Sequence, residues 1–414
     1  MSDDVVIEPA DLHEYRLRAR AWLQENMTLL RRRDDGTYED PDGSDPRPER
    51  VAHARELQRT LFEGGFAGIT YPAEYGGQGL SLDHERVFLE ESAGYDMPTQ
   101  VFAVSLNILG PTLLAFGNHQ QKAEHVPRML AGEELWLQFL SEPSGGSDLA
   151  GLLTRATRDG DTYILNGQKI WSTGAQHSDF AMCPARTRWD VPKHKGISVF
   201  IIDLSWPGIE IRPIRQINGG AEFCEEFLTD VVVPAANLVG EENEGWRVAR
   251  GLLQIEHEWV GRSGGGQRTH AGVDDLVALA RRRGLEDDPG VRRKIAAMYA
   301  AQMVHAQASV RVSNAIAAGR MDHGYGGALK LSSANLAQRR SELGLELAGS
   351  DGVAWHEGDT SASSWSHQYL SSRSSSIAGG TNEVQRNNVG ERALGLPREP
   401  TFDRDVPFNE LLRG

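Results

Sequence analysis

Apolar positions recur at helical spacing through residues 11–136. Leu17, Ala21, Leu23, Leu29 and Leu30 form one series, and Ala52, Leu57, Leu61 and Phe62 another, the three-to-four-residue period that lays one stripe along a helix. Between them, residues 31–48 (RRRDDGTYEDPDGSDPRP) are polar and rich in Pro and Gly, as a loop or partly disordered stretch is. TYPAEYGGQGLS (70–81) reads as a second loop. From residue 137 the period changes to two. LLTRATRDGDTYILNGQKIWST splits at Asp159-Gly160-Asp161 into two alternating segments, and Asn166-Gly167 predicts a further hairpin turn. GISVFIIDL (196–204) has the continuous apolar run of a buried strand, and PGIEIRPI and FLTDVVVP extend the β pattern. Helical patterning returns from Glu244. One helix candidate there, VRRKIAAMYAAQMVHAQASVRVSNAIAAG, is long and Ala-rich, which suits close packing in a bundle. Pro289-Gly290 and Gly319 punctuate this region. Residues 356–376 read as a polar loop and PREPTFDRDVPFNELLRG as an extended tail. The whole predicts a compact antiparallel sheet domain inserted between helical ones.

Composition narrows the function classes. The 414 residues are 39% hydrophobic and 24% charged, an ordinary globular balance, with length for two to three domains. No apolar stretch approaches the ~20 residues of a membrane helix. The start, MSDDVVIEPADLHEY, is acidic and lacks the basic and apolar parts of a secretory signal. With only Cys183 and Cys224, no disulfide framework carries the fold, and a reducing cytoplasm is the expected compartment. A formal net charge of −15 argues against nucleic acid as a main partner.

Three segments carry candidate chemistry. Gln138 to Asp148 (QFLSEPSGGSD) sets two glycines and three hydroxyls between an apolar strand and the first hairpin. Such a loop brings backbone N–H and hydroxyl donors close to a flat polar ligand or phosphate, though it also fits a plain turn. Trp171-Ser172-Thr173 is an aromatic with two hydroxyls, suited to pack on a ring and bond its edge or to sit in a core. Gly379-Gly380-Thr381-Asn382-Glu383 reads as a loop feeding a helix, whose freed N–H groups bind an anion or carbonyl or simply accept a cap.

Together these segments resemble the acyl-CoA dehydrogenase family, whose order nearly the whole chain follows. The resemblance also rests on Tyr71-Pro72-Ala73-Glu74-Tyr75-Gly76-Gly77, Leu165 to Thr173, Pro207-Gly208-Ile209 and Val233-Pro234 through Gly240. The ending Gly390-Glu391-Arg392-Ala393-Leu394-Gly395-Leu396-Pro397 looks like that of bacterial relatives acting on fatty acyl or steroid side-chain CoA esters. It implies an α+β fold: an N-terminal helical domain (1–136), a middle antiparallel β domain (137–243), a C-terminal four-helix-type bundle (244–396) and a tail (397–414). It also implies bound FAD, no metal, an acyl-CoA substrate in lipid β-oxidation, an electron-transfer flavoprotein as acceptor, and a dimer or tetramer. By position, Leu140, Ser141, Gly146 and Ser147 belong to the loop against the flavin. Trp171 and Thr173 match the pair that packs on and bonds the isoalloxazine, and Thr381 and Glu383 match further FAD contacts.

Two departures from the family pattern bear on mechanism. Many members carry the base Glu just before the Gly-Thr of the last motif, where this chain has Gly379. Isovaleryl- and long-chain-type members, also small there, take their base from the first helix of the C-terminal domain. The matching residue is Glu256, followed by His257 where relatives have Arg, with Glu258 the next candidate. Gly379 would keep its backbone N–H for the thioester carbonyl. The second departure is the missing Arg-Phe-Gly segment in Ala280 to Asp288, with Glu346 where relatives have Gln, which leaves a hetero-oligomer sharing FAD as an option. The alternatives are an acyl-carrier-protein dehydrogenase or flavin monooxygenase on the same fold, or an FAD-poor structural subunit.

Overall fold

A computed structural model describes residues 9–31, 48–263, 272–354, 362–401 and 403–411. Most of the predicted loop 31–48 and the start of the 356–376 stretch lie outside the described residues. The chain forms two compact units. Residues 1–214, 221–252 and 405–414 make the first, and residues 215–220 and 253–404 the second.

The first unit opens with helices α1 (Ala10–Asn26), α2 (Pro48–Glu63), α3 (Leu82–Glu91), α4 (Gly110–Phe116) and α5 (His119–Leu130). The predicted helical stripes are displaced. α1 buries Leu12, Tyr15, Ala19 and Leu23 and exposes Leu17, and α2 buries Val51, Ala54, Gln58 and Leu61. Leu23 and Leu61 of the predicted series are buried, but the rest of each buried face is built on Leu12, Tyr15, Ala19, Val51 and Ala54, which the series did not include. Arg16 and Arg20 of α1 both reach Glu91 of α3, at 2.9 and 2.7 Å. α5 starts on a reciprocal cap. The Asn118 side chain accepts from the Gln121 N–H and the Gln121 side chain from the Asn118 N–H. The Gln121 amide then donates to Ala236 O and Leu238 O, tying the helix to the sheet.

Eight strands follow: β1 (Trp136–Gln138), β2 (Arg155–Asp159), β3 (Thr162–Thr173), β4 (Phe180–Arg186), β5 (Ile197–Asp203), β6 (Ile209–Pro213), β7 (Phe223–Pro234) and β8 (Leu238–Val239). They form one sheet in the order β6-β7-β3-β2-β4-β5-β8, with β1 beside β4. Pairing is antiparallel apart from β1–β4 and β2–β4. The turn predicted at Asp159-Gly160-Asp161 joins β2 to β3, with Gly160 at φ 60°. Asn166-Gly167 makes no hairpin. It lies inside β3 at a register shift against β7, where the Asn166 side chain bonds both the backbone and the carboxylate of Asp230 (φ 49°). A Cβ on Gly167 would lie 2.7 Å from the Thr154 backbone, so close approach rather than a turn requires this glycine.

The predicted extended tail is in fact docked. Phe408 N–H donates to Val191 O and Asn409 N–H to Trp189 O. The buried Phe408 ring covers the Arg186 guanidinium at 3.6 Å. That buried cation also donates to the carbonyls of Ala150, Leu152 and Lys193.

α6 (Gly245–Ser263) runs from the first unit's residues into the second's. The second unit continues with α7 (Val273–Arg282), α8 (Pro289–Ala317), α9 (Gly326–Ala348), α10 (Ala362–Ser371) and α11 (Asn382–Asn388). α8 begins at the predicted Pro289-Gly290, capped by the Asp288 carboxylate on two backbone N–H groups. α9 packs against α7, α8, α10 and α11. The stretch 356–376, predicted as loop, contains α10. Its Ser-rich surface hid the signal, but Trp365 is buried against Gly344 of α9, in a gap that leaves no room for a Cβ.

Candidate active site

In the first unit the loop Leu140 to Asp148 leaves the end of β1, turns on reciprocal Glu142–Gly145 backbone bonds and leads through Leu149–Gly151 into β2. Ser141 O accepts from the Ile170 N–H at 3.0 Å, so the loop is fastened beside the end of β3. Leu140 and Ser141 are half-buried, while Gly146 and Ser147 face solvent. What holds the loop is Glu142, whose buried carboxylate accepts from the Leu153 and Thr154 N–H groups and from Lys169 Nζ at 2.9 Å. Burial pushes this acid up, but the Lys169 charge and the donors outweigh it and hold the group below its ordinary value. Lys169 also donates to Pro184 O at 2.9 Å.

Trp171 is the extra residue of a bulge. Against β7, Lys169 faces Glu226, Ile170 faces Glu225 and Ser172 faces Cys224, which leaves Trp171 unpaired at φ 70°. Strict alternation from buried Lys169 would turn Trp171 inward. The bulge instead buries Ser172 and leaves Trp171 55% exposed and Thr173 exposed beside it. The Trp171 ring lies nearly perpendicular to that of Phe223, at 6.1 Å between centroids. Behind the bulge, Ser172 Oγ lies 3.1 Å from Glu226 Oε2, while Oε1 of the same buried carboxyl has no partner. Burial raises Glu226 to about 7, against the pull of Ser172 and Lys169. Cys183 and Cys224 are free and buried nearby, the Cys183 thiol pushed up to about 11 by burial. Sequence reading singled out neither Glu142, Lys169 nor Glu226. The available signal was the spacing Cys224, Glu226, Leu228, which puts a carboxylate on the buried face of a strand.

In the second unit Gly379 and Gly380 take φ values of 64° and 81°, the left-handed region that favours glycine. Gln385 Nε2 donates to Gly379 O at 2.7 Å, and Lys330 Nζ to Gly380 O at 2.6 Å and to Asn382 Oδ1 at 3.1 Å. Burial holds the Lys330 ammonium below its ordinary value. Thr381 caps α11, its hydroxyl accepting from the Val384 N–H. Glu383 is exposed and reaches Arg386 at 3.4 Å. A Cβ on Gly379 would meet nothing within 4 Å. Glu256 lies on α6 and is half-buried; the side chain of Glu258 lies outside the described residues. The two departure regions are engaged within this unit, Arg283 pairing with Asp351 and Glu346 with Lys294.

The donor set fits a flavin. An outward Trp171 face with the exposed Thr173 beside it suits a flat ring with polar edges. The open Gly145–Ser147 backbone suits close approach of a cofactor arm. Sequence models of the acyl-CoA dehydrogenase N-terminal, middle and C-terminal domains match residues 41–133, 138–231 and 243–394. The chain belongs to the acyl-CoA dehydrogenase family. It is an oxidoreductase acting on acyl-CoA, and like the family an FAD flavoprotein. It is 36% identical over 391 residues to the acyl-CoA dehydrogenase IpdE1 of Mycobacterium tuberculosis, covering 94% of this chain and 99% of that one. The mitochondrial isovaleryl-CoA dehydrogenase of Pongo abelii is 34% identical over 214 residues, 51% of each chain. Among solved structures, the Tcur3481-Tcur3483 steroid ACAD superposes with a TM-score of 0.76 at 31% identity, over 95% of this chain and 99% of that one. The ChsE4-ChsE5 complex of M. tuberculosis matches with a TM-score of 0.68 at 27% identity, over 95% and 99%. No helix among the described residues is long and apolar enough to cross a membrane.

Proposed function

We propose that this acyl-CoA dehydrogenase forms a trans-2-enoyl-CoA from a bulky, steroid-type acyl thioester, with Glu256 as the base. The observation that carries this is the open, left-handed Gly379, where no side chain exists to take a proton. The α C–H of a thioester is a very weak acid, so its removal needs a carboxylate within hydrogen-bond reach and donors on the carbonyl oxygen. The Glu256 carboxylate takes the α proton. The Gly379 N–H donates to the thioester oxygen as negative charge grows there, in a turn held by the bonds from Gln385 and Lys330. Trp171, Thr173, Ser141 and Ser147 would hold the flavin ring and arm, and Thr381 and Glu383 match further FAD contacts of the family. The bound flavin supplies the acceptor for the β hydride. The proton ends on Glu256, and an electron-transfer flavoprotein would serve as the final electron acceptor.

The steroid-type preference is supported by the space beside Gly379 and by the steroid ACAD among the similar structures. That relative and the ChsE4-ChsE5 complex each carry two chain names, which favours a mixed oligomer for this chain too. Glu256→Gln keeps the shape and removes the basicity. Flavin bleaching by a panel of short, branched, long and steroid-like CoA thioesters tests both parts. The variant should keep FAD and lose two to four orders of magnitude in rate, roughly what a positioned general base supplies. Near wild-type bleaching by the variant would refute the base assignment, and a preference for short straight acyl chains would refute the substrate class.

A further inference from the structure

We propose that Glu226 is a positioning residue that locks the Trp171 bulge and so aims Trp171 and Thr173 outward at the flavin; this rests on the reading of those two residues as flavin contacts. Lys169 and Ser172 are three positions apart, so on an unbroken strand their side chains would point to opposite faces. Both are buried on the same face, which requires one extra residue between them, and the register shift between Ile170 and Ser172 supplies it. Glu226 is the group that meets both ends of that interval. Its backbone is the register partner of Lys169, and its carboxyl lies 3.1 Å from the Ser172 hydroxyl. A register without the bulge would carry Ser172 away from this carboxyl and turn Trp171 into the space behind the sheet. That space is filled by a packed cluster including Cys183, Cys224 and Leu228.

The lock is specific because little else is available to Glu226. Lys169 Nζ is directed to Glu142 Oε1, Pro184 O and Leu140 O. Oε1 of Glu226 is buried without a partner. Ser172 is therefore the one hydrogen-bond donor on this carboxyl among the described residues, and its loss leaves the whole group unsatisfied. Retaining a half-satisfied buried carboxyl has a stability cost, which a positioning role accounts for and a packing role does not.

The test compares Glu226→Gln, Glu226→Leu and Ser172→Ala with wild type in two assays. One is FAD affinity, by reconstitution of the apoprotein. The other is acrylamide quenching of the Trp171 contribution in the apoprotein, taken as the difference from the same protein carrying Trp171→Phe. Glu226→Gln keeps an acceptor for Ser172 and should match wild type in both. Glu226→Leu should weaken FAD binding by roughly tenfold or more, the loss expected for a bond to an ionisable group, and shield Trp171 from the quencher. Ser172→Ala should move both readouts the same way and decides the matter if Glu226→Leu does not fold. Wild-type FAD affinity and quenching in Ser172→Ala or a folded Glu226→Leu would overturn the proposal, as would a Glu226→Gln no better than Glu226→Leu. Trp171→Ala and Thr173→Ala separate the two layers. If they lose FAD while the Glu226 and Ser172 variants do not, the flavin contacts stand and the lock falls. If they bind FAD normally, the contact reading falls and the quenching assay alone decides the lock.

Discussion

Glu226 also makes a signed prediction about stability and pH. Its carboxyl is fully buried, rests on Ser172 from β3, and shares its surroundings with Lys169 of β3, Glu142 of the preceding loop, the adjacent Glu225, and the thiols of Cys183 and Cys224. Its ordinary value of 4.5 is raised to about 7 in the fold. Between those values the native state holds a proton that the unfolded chain has released, so stability falls as pH rises through this window and levels off above it. At about 1.4 kcal/mol per pH unit the total is on the order of 3 kcal/mol. About a quarter of it has been lost by pH 5 and nearly all of it by pH 8. Glu226→Gln removes the titration. Its stability relative to wild type should therefore rise by roughly 2–3 kcal/mol from pH 5 to pH 8, whatever constant offset the amide brings. The two cysteines are the natural reporters, being the chain's whole complement and both buried in the same sheet. Thiol labelling across a urea series at each pH, on apoprotein so that FAD binding does not mask the change, measures the opening of this region. A difference that stays flat across the window would show that Glu226 is ionised throughout.

Other outcomes follow from single contacts. Phe408→Ala should destabilise the first unit by about 3 kcal/mol and strip the cover from Arg186, seen as a lowered urea midpoint. Gly344→Ala forces a methyl against the Trp365 indole and should cost about 1–3 kcal/mol by overpacking, read from thermal unfolding of the second unit. Lys330→Met leaves Gly380 O and Asn382 Oδ1 without their donor, a loss of about 1–3 kcal/mol, and by loosening the Gly379 turn should lower turnover more than it lowers FAD content.

The change of period at residue 137 was legible because burial on one face of a sheet imposes alternation, and β3, β5 and β7 show it, away from their bulges, or its doubly buried form. The motifs were legible only together, because each alone also fits a turn, a core position or a helix cap. What stayed hidden depends on neighbours distant in sequence. Asn166-Gly167 carries the chemistry of a turn, but Thr154 and Asp230 decide its conformation. The bulge at Trp171 is specified from β7, and nothing within QKIWST announces it. α10 is covered in serine, and its helix is secured by Trp365 and the gap at Gly344. For Glu226, nothing in the adjacent pair Glu225-Glu226 marks which is buried, and the alternation of β7 places one inside.

The docking of residues 407–409 onto the strand-rich unit has a consequence for the order of events during synthesis. The first unit is discontinuous in sequence, and its segment 405–414 follows the whole of 253–404. On the ribosome, the helices of the second unit therefore emerge and have time to collapse while the sheet still lacks the ring that caps Arg186. Until then the sheet holds a cation under its surface with an open side to water. The cover contributed by Phe408 is the last of these interactions to form, and nascent chains stalled before it should show the Arg186 region more open to solvent than released protein.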